Sequence, residues 1–139
     1  MLMDADELLT RYGAGDRDFK GADLIGMSLK GANLSGANFR EGAFSEADLS
    51  GANLSEAFLN EASLSAANLT GANLRAANLN GANLFKAKLR EADLRGANLK
   101  MADLTQADLT NANLEGANLW GASLTGAKLE GTVMPEQAE

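Results

Sequence analysis

The chain has neither cysteine nor histidine among its 139 residues. Without cysteine there is no disulfide framework, no thiolate metal site and no redox switch. Without histidine, Ser/His and Cys/His nucleophilic pairs are excluded and the commonest metal ligand is missing. Proline, tyrosine and tryptophan occur once each, as Pro135, Tyr12 and Trp120. No apolar run approaches the roughly 20 residues of a membrane span. Met1-Leu2-Met3-Asp4-Ala5-Asp6-Glu7 lacks the basic start and apolar centre of a secretion signal. A cytoplasmic protein without membrane association is therefore expected. No phosphate-cradling loop is present, because Gly21, Gly31, Gly51, Gly71 and their companions recur at one place in a repeat, where the chain must change direction. No catalytic, cofactor-binding or metal-ligating residue is nominated, and a non-enzyme is expected.

What the chain does contain is a period. Leucine or phenylalanine falls on every fifth residue from Phe19 to Leu129, giving 23 consecutive pentapeptides that mostly read Ala-(Asn/Asp)-Leu-X-X. Phe19, Phe39 and Phe44 replace Leu at the centre, and Arg17, Met27 and Gly42 replace the Ala two residues earlier. Five fits neither ordinary element. On a helix, five residues advance about 500°, so successive leucines spiral around the axis. On a flat strand five is odd, and successive leucines alternate faces. The pattern is satisfied if the chain turns one corner per pentapeptide, so that each Leu and its Ala face a common axis. Period alone leaves the number of sides open; four sides make a twenty-residue coil stacked on the next at about 4.8 Å. The expected core includes Phe19, Leu24, Phe39, Phe44, Leu64, Leu84, Leu104 and Leu124.

Ala22-Asp23-Leu24, Ala32-Asn33-Leu34, Ala52-Asn53-Leu54 and Ala72-Asn73-Leu74 resemble the pentapeptide-repeat family over roughly residues 16 to 131. The resemblance implies an all-β solenoid, a right-handed quadrilateral β-helix of about six coils, and it is similar to bacterial, especially cyanobacterial, members. It implies no single function. Residues 1–15 read as a capping helix and turn, 16–134 as the β-helix and 135–139 as a tail. In the helix, Asp4 caps with Glu7 three residues on, Ala5, Leu8, Leu9 and Tyr12 share a face, and Gly13 and Gly15 end it. At the other end, Pro135, Glu136 and Glu139 discourage edge pairing, leaving a monomer or a weak end-to-end homodimer as the expectation.

Asp23, Asp48, Asp93, Asp103 and Asp108 occupy the slot that Asn fills elsewhere, which reads as a turn role and not as acid/base chemistry. The net charge of −7 is banded. Glu41, Glu46, Asp48, Glu56 and Glu61 lie in a stretch without a base, whereas Arg75, Lys86, Lys88, Arg90, Arg95 and Lys100 form a basic belt against Glu91 and Asp93. Large apolar residues stand in outward slots at Ile25, Phe58, Phe85, Met101 and Trp120, and Phe58, Met101 and Trp120 share a side with Lys100. The expected function is a rigid scaffold for contact with an unidentified protein partner, without direct nucleic-acid binding. Phe58, Lys100, Met101 and Trp120, or else Arg75, Arg90 and Arg95, are the candidate contact residues. The alternatives are the gyrase-occupying DNA mimicry of the family's quinolone-resistance members, opposed here by the basic belt, and a purely structural or designed idealised repeat.

Overall fold

The computed structural model describes residues 3–136. Every pentapeptide turns one corner, and the turn explains the repeat. The amide of the inward Ala slot donates to the carbonyl of the Leu three residues before it, as in Ala52 to Leu49 at 3.0 Å, in all 23 repeats. The residue between, two after Leu, has positive φ throughout. That combination is a type II turn, whose third residue must be left-handed. Glycine suits the slot, yet residues such as Glu41, Glu46, Ala66, Ala76, Lys86 and Met101 occupy it at φ from 57° to 62°.

Successive coils pair in parallel with a constant offset of twenty residues, from Asp18 with Asn38 to Asn113 with Val133. The number of sides that the period left open is therefore four. Three backbone bonds per repeat join neighbouring coils, for example Leu54 N–H to the Asn73 carbonyl, Glu56 N–H to the Arg75 carbonyl and Asn53 N–H to the Ala32 carbonyl. The amide one residue after Leu is left over. In sixteen repeats the Asn or Asp before Leu accepts it through Oδ1, as Asn73 does from Arg75 at 3.0 Å. These are Asx turns, so the side chain completes the bonding of each side. Asp and Asn serve equally because only the acceptor oxygen is used.

Inside, the inward Leu and Ala from Ala22 to Leu114 are buried with almost no exposure, except the partly buried Ala32. Leu124 is only partly buried, as are Leu119 and Ala127, because they lie in the last described coil, which no other described coil covers. The three inward phenylalanines sit together at the first coils: Phe19 stacks on Phe39 at 5.5 Å, and Phe39 meets Phe44 edge-on at 5.0 Å. Gly42 replaces Ala for the same reason. A Cβ there would lie 2.9 Å from the Phe44 ring and 3.0 Å from the Phe39 carbonyl oxygen.

The helix α1 (Ala5–Gly13) covers the first coil. Asp4 Oδ1 accepts from Glu7 N–H at 2.8 Å, and Arg11 in the last turn binds Asp16 at 2.7 Å. Leu8 is fully buried and Tyr12 donates its hydroxyl to the Ser35 carbonyl at 2.7 Å. Leu9 departs from the expected stripe and is exposed, and Met3 is buried instead. Leu9 lies one residue past Leu8, about 100° around the helix, which carries it off the covered face. Glu139 lies outside the described residues.

Candidate functional site

We number the faces by their inward residues: face 1 carries Phe19, Phe39 and Leu59, face 2 Leu24 and Phe44, face 3 Leu29 and Leu49, face 4 Leu34 and Leu54. Coil 1 is 17–36, and each later coil adds twenty residues, so that coil 6 ends at 136. Each face presents two outward columns, the residues just before and just after Leu.

On face 1 those columns are Asp18, Asn38, Phe58, Asn78, Asn98, Asn118 and Lys20, Arg40, Asn60, Asn80, Lys100, Trp120. Trp120 is 68% exposed, with its backbone amide held by Asn118 Oδ1 at 3.0 Å. Met101 is 56% exposed and turns a left-handed corner of coil 5. Its thioether lies over Gly121, where any Cβ would strike the sulfur, beside Trp120. Lys100 stands one coil before Trp120. Lys100, Trp120 and Gly121, with Glu115, Met134 and Pro135, border an open hollow of about 1390 Å³ at the end of the described solenoid. Phe58 shares the face but not the cluster. It lies three coils away, about 14 Å at the usual strand spacing, and the Arg40 guanidinium covers its ring at 4.4 Å. Because Phe58 displaces an Asn, it offers no side-chain acceptor to the Asn60 N–H; independently of that, Asn60 Oδ1 is buried without a partner.

The basic belt does not converge. Arg75 and Arg95 stack on face 4, where Arg95 makes a forked pair with Asp93 at 2.9 and 2.7 Å. Arg90 lies on face 3, where it reaches Asp108 of the next coil at 3.4 Å. Phe85 is half-buried on face 2 with the Lys86 ammonium 5.3 Å from its ring centre. Ile25 is exposed on face 2, apart from the other large apolar groups.

Four aspartates in the Asx slot, Asp48, Asp93, Asp103 and Asp108, are held below their ordinary value. For Asp48 and Asp103 the chief cause is a hydroxyl donor, Ser50 and Thr105 respectively, followed by the backbone amide of the same residue. Arg95 does the same for Asp93. Burial pushes Asp108 up, but the Thr110 hydroxyl and amide, with Arg90, prevail. Hydrogen bonds to the charged form define anchors of turns, and none of these carboxyls is raised toward a pH at which it would serve as a general acid. Among the described residues no group of three or more acidic side chains is placed to hold a metal ion. No described helix is long and apolar enough to cross a membrane.

The model of pentapeptide repeats, in 8 copies, matches residues 18–55, 43–81, 62–100 and 102–134. The chain belongs to the pentapeptide-repeat family. Its fold is the family's right-handed quadrilateral β-helix. The chain is similar to the pentapeptide repeat protein Rfr23 from the cyanobacterium Cyanothece 51142, with 29% identity, TM-score 0.66, and coverage of 93% of this chain and 98% of that one. It is also similar to a pentapeptide repeat protein from the Arabidopsis thaliana thylakoid lumen, at 34% identity and TM-score 0.47 over 78% of this chain and 66% of that one. Trypsin-treated QnrB1, a plasmid-mediated fluoroquinolone resistance protein, matches at 24% identity and TM-score 0.52 over 84% of this chain and 68% of that one, a likeness of fold alone. No curated protein sequence matches. Within the pentapeptide-repeat frame, the sequence signal for a site is a departure from the repeat. Trp120 and Met101 were visible that way; the separation of Phe58 from them needed the coil geometry.

Proposed function

We propose that this pentapeptide-repeat protein is a non-catalytic interaction module that presents Met101 and Trp120, edged by Lys100, to a protein partner. The observation that carries the reading is two large apolar side chains, 56% and 68% exposed, on neighbouring coils, Met101 at the corner over Gly121 and Trp120 on a face whose columns are mostly Asn, Lys and Arg. An exposed Trp beside a flexible Met is the composition of a binding anchor. The chemistry of an enzyme is not supported, since the site holds no histidine or cysteine. Trp120 is the sole tryptophan, so its own emission reports the contact. A partner captured by the wild type from source-cell extract, then purified, is expected to shift Trp120 emission to shorter wavelength. Trp120→Ala is expected to weaken binding of that purified partner about thirtyfold, the equivalent of about 2 kcal/mol, with the melting temperature unchanged. Unchanged affinity in Trp120→Ala would move the site to the belt of Arg75, Arg90 and Arg95.

A second reading, DNA mimicry at gyrase, draws on residues 41–74, where Glu41, Glu46, Asp48, Glu56 and Glu61 lie in a stretch without a base. Coil 4 breaks that charge with Lys86, Lys88, Arg90 and Arg95. We expect no inhibition of supercoiling and no quinolone protection; salt-sensitive inhibition that fades in Glu46→Gln would favour this reading instead.

A further inference from the structure

Face 3 carries a charge pattern that its turns and the ion pair of Arg90 with Asp108 explain only at Asp48, Asp108 and Arg90. The corner column leading into it reads Gly26, Glu46, Ala66, Lys86, Gln106, Gly126 along the six coils. The first column of the face reads Ser28, Asp48, Asn68, Lys88, Asp108, Lys128, and the second Lys30, Ser50, Thr70, Arg90, Thr110, Glu130. Around coil 3 all three columns change character in the same sense. Coil 2 offers Glu46 and Asp48, coil 3 offers the short neutral residues Ala66, Asn68 and Thr70, and coil 4 offers Lys86, Lys88 and Arg90. Glu46, Lys86, Lys88 and Arg90 are exposed, and Asp48 is half-exposed. Among the described residues neither Glu46, Lys86 nor Lys88 enters an ion pair, and the one contact of Arg90 is long, at 3.4 Å.

We propose that face 3 docks a second copy of this chain, side by side and antiparallel, in register at coil 3. A two-fold axis lying in the interface and crossing the solenoid at coil 3 reverses the coil order but keeps each column opposite itself. Coil 2 of one copy then faces coil 4 of the other. Glu46 meets the second copy's Lys86, Asp48 meets its Lys88, and the symmetry repeats both pairs, giving four contacts of opposite charge. Arg90 comes opposite Ser50 and within reach of the neighbouring Asp48. Lys30 comes opposite Thr110 and beside Asp108. The parallel alternative, with the axis along the solenoid, sets coil 2 against coil 2 and coil 4 against coil 4, so that like charges oppose. Charge thus selects one orientation of a surface whose backbone repeats in both directions.

Ala66, Asn68 and Thr70 at the centre are short enough to let the two flat faces approach. The area is small. Five coils at about 4.8 Å by a face about 12 Å wide give on the order of 300 Å² per copy, against about 800 Å² in a standard interface. The association is therefore weak, salt-sensitive and significant chiefly at high local concentration. It uses a different face from Met101 and Trp120, so Trp120→Ala leaves it untouched.

The test is sedimentation velocity of the whole chain at about 20 mM and about 500 mM salt, which changes the screening length from about 20 Å to about 4 Å. The wild type is expected to show concentration-dependent dimerisation at low salt that disappears at high salt, with a dimer no longer than the monomer in small-angle scattering. Glu46→Lys and Lys86→Glu alter residues that already hold the left-handed corner, at φ 62° and 59°, so neither adds backbone strain. Each alone is expected to weaken self-association by at least about tenfold, because each creates two like-charge contacts. An equimolar mixture of the two variants restores association, since introduced lysine faces introduced glutamate on one side and native Lys86 faces native Glu46 on the other. The double variant also restores it. A wild type that stays monomeric at low salt overturns the proposal, as does a mixture no better than either variant. A dimer twice the monomer's length that ignores both reversals would place the contact at the ends of the rod and overturn it too.

Discussion

Replacing alanine by glycine normally destabilises a protein, but at Ala66 it is expected to do the opposite. Ala66 turns its corner at φ 58° and is exposed, so its methyl contributes little packing. An L-residue in the left-handed region costs about 1–2 kcal/mol relative to glycine. Glycine returns about 0.4–1 kcal/mol of that through its greater freedom in the unfolded chain. The net expectation is that Ala66→Gly stabilises by about 0.5–1 kcal/mol, or about 2–4 °C for a chain of this size. Ala76, at φ 57° on the diagonally opposite corner of the same coil, should add a similar increment. Gly71→Ala is the mirror experiment. Its φ is 68° and a Cβ would meet nothing within 4 Å, so only backbone strain is introduced and a loss of similar size is expected. Urea melts with unchanged m-values would measure all three. A destabilised Ala66→Gly, or a Gly71→Ala variant as stable as the wild type, would refute the claim that corner strain is relieved only by glycine.

Gly42→Ala is expected to destabilise by about 1–3 kcal/mol through collision with the Phe44 ring, whereas Gly42→Ala combined with Phe44→Leu should recover at least about 1 kcal/mol of that loss, read by a double-mutant cycle of chemical melts. Ala72→Leu and Ala92→Leu, each forced into the closed core, should cost more than about 1 kcal/mol; Thr70→Ala on the outer surface should cost much less, and equal losses would contradict the assigned facing. Tyr12→Phe removes the bond to Ser35 and should cost about 1 kcal/mol, seen as a lower melting temperature, while Leu8→Ala should cost about 2–5 kcal/mol. Asp48, Asp93, Asp103 and Asp108 have folded pKa values below 3.8, so their contribution is present above that pH and lost as pH falls through the folded values; melts between about pH 5 and pH 2 should fall accordingly, and more shallowly in Asp48→Asn, which keeps an Oδ1 acceptor for Ser50 but cannot titrate.

The fold was legible because one physical requirement repeats without interruption. A five-residue period can bury Leu and Ala on one axis only if a corner follows each Leu, and that single inference fixed the inward and outward slots from Phe19 to Leu129. The number of sides was not in the period; it came from the resemblance and is realised as the twenty-residue offset of the bridges. The left-handed corner was half legible. Glycine marked it in many repeats, but Glu41, Glu46, Glu56 and Glu61 occupy the same slot at φ near 60°, and nothing in a glutamate announces a left-handed backbone. Gly42 and Phe44 are two exceptions to the repeat with one cause, a ring that fills the space of the missing methyl. Such paired departures become readable only when inward neighbours are known.

The same reasoning decides where function is to be sought on a solenoid. Each coil must spend its inward Leu and Ala on the core, its Asx side chain on the leftover amide and its corner on the turn, so the sequence is free mainly at the residue after Leu and partly at the corner. Trp120 lies in the first kind of slot, Met101, Glu46 and Lys86 in the second. Phe58 and Lys88 are more telling still, because each takes the Asx slot and gives up the side-chain bond that sixteen other repeats make. A lost neutral hydrogen bond is worth about 0.5–1.5 kcal/mol, and Phe58 recovers part of it through the Arg40 guanidinium above its ring. Among the described residues Lys88 enters no ion pair and no contact with an aromatic ring. Its ammonium stands exposed on face 3, in register with Asp48 two coils away, so the favourable contact it lacks at home is the one a second, inverted copy supplies.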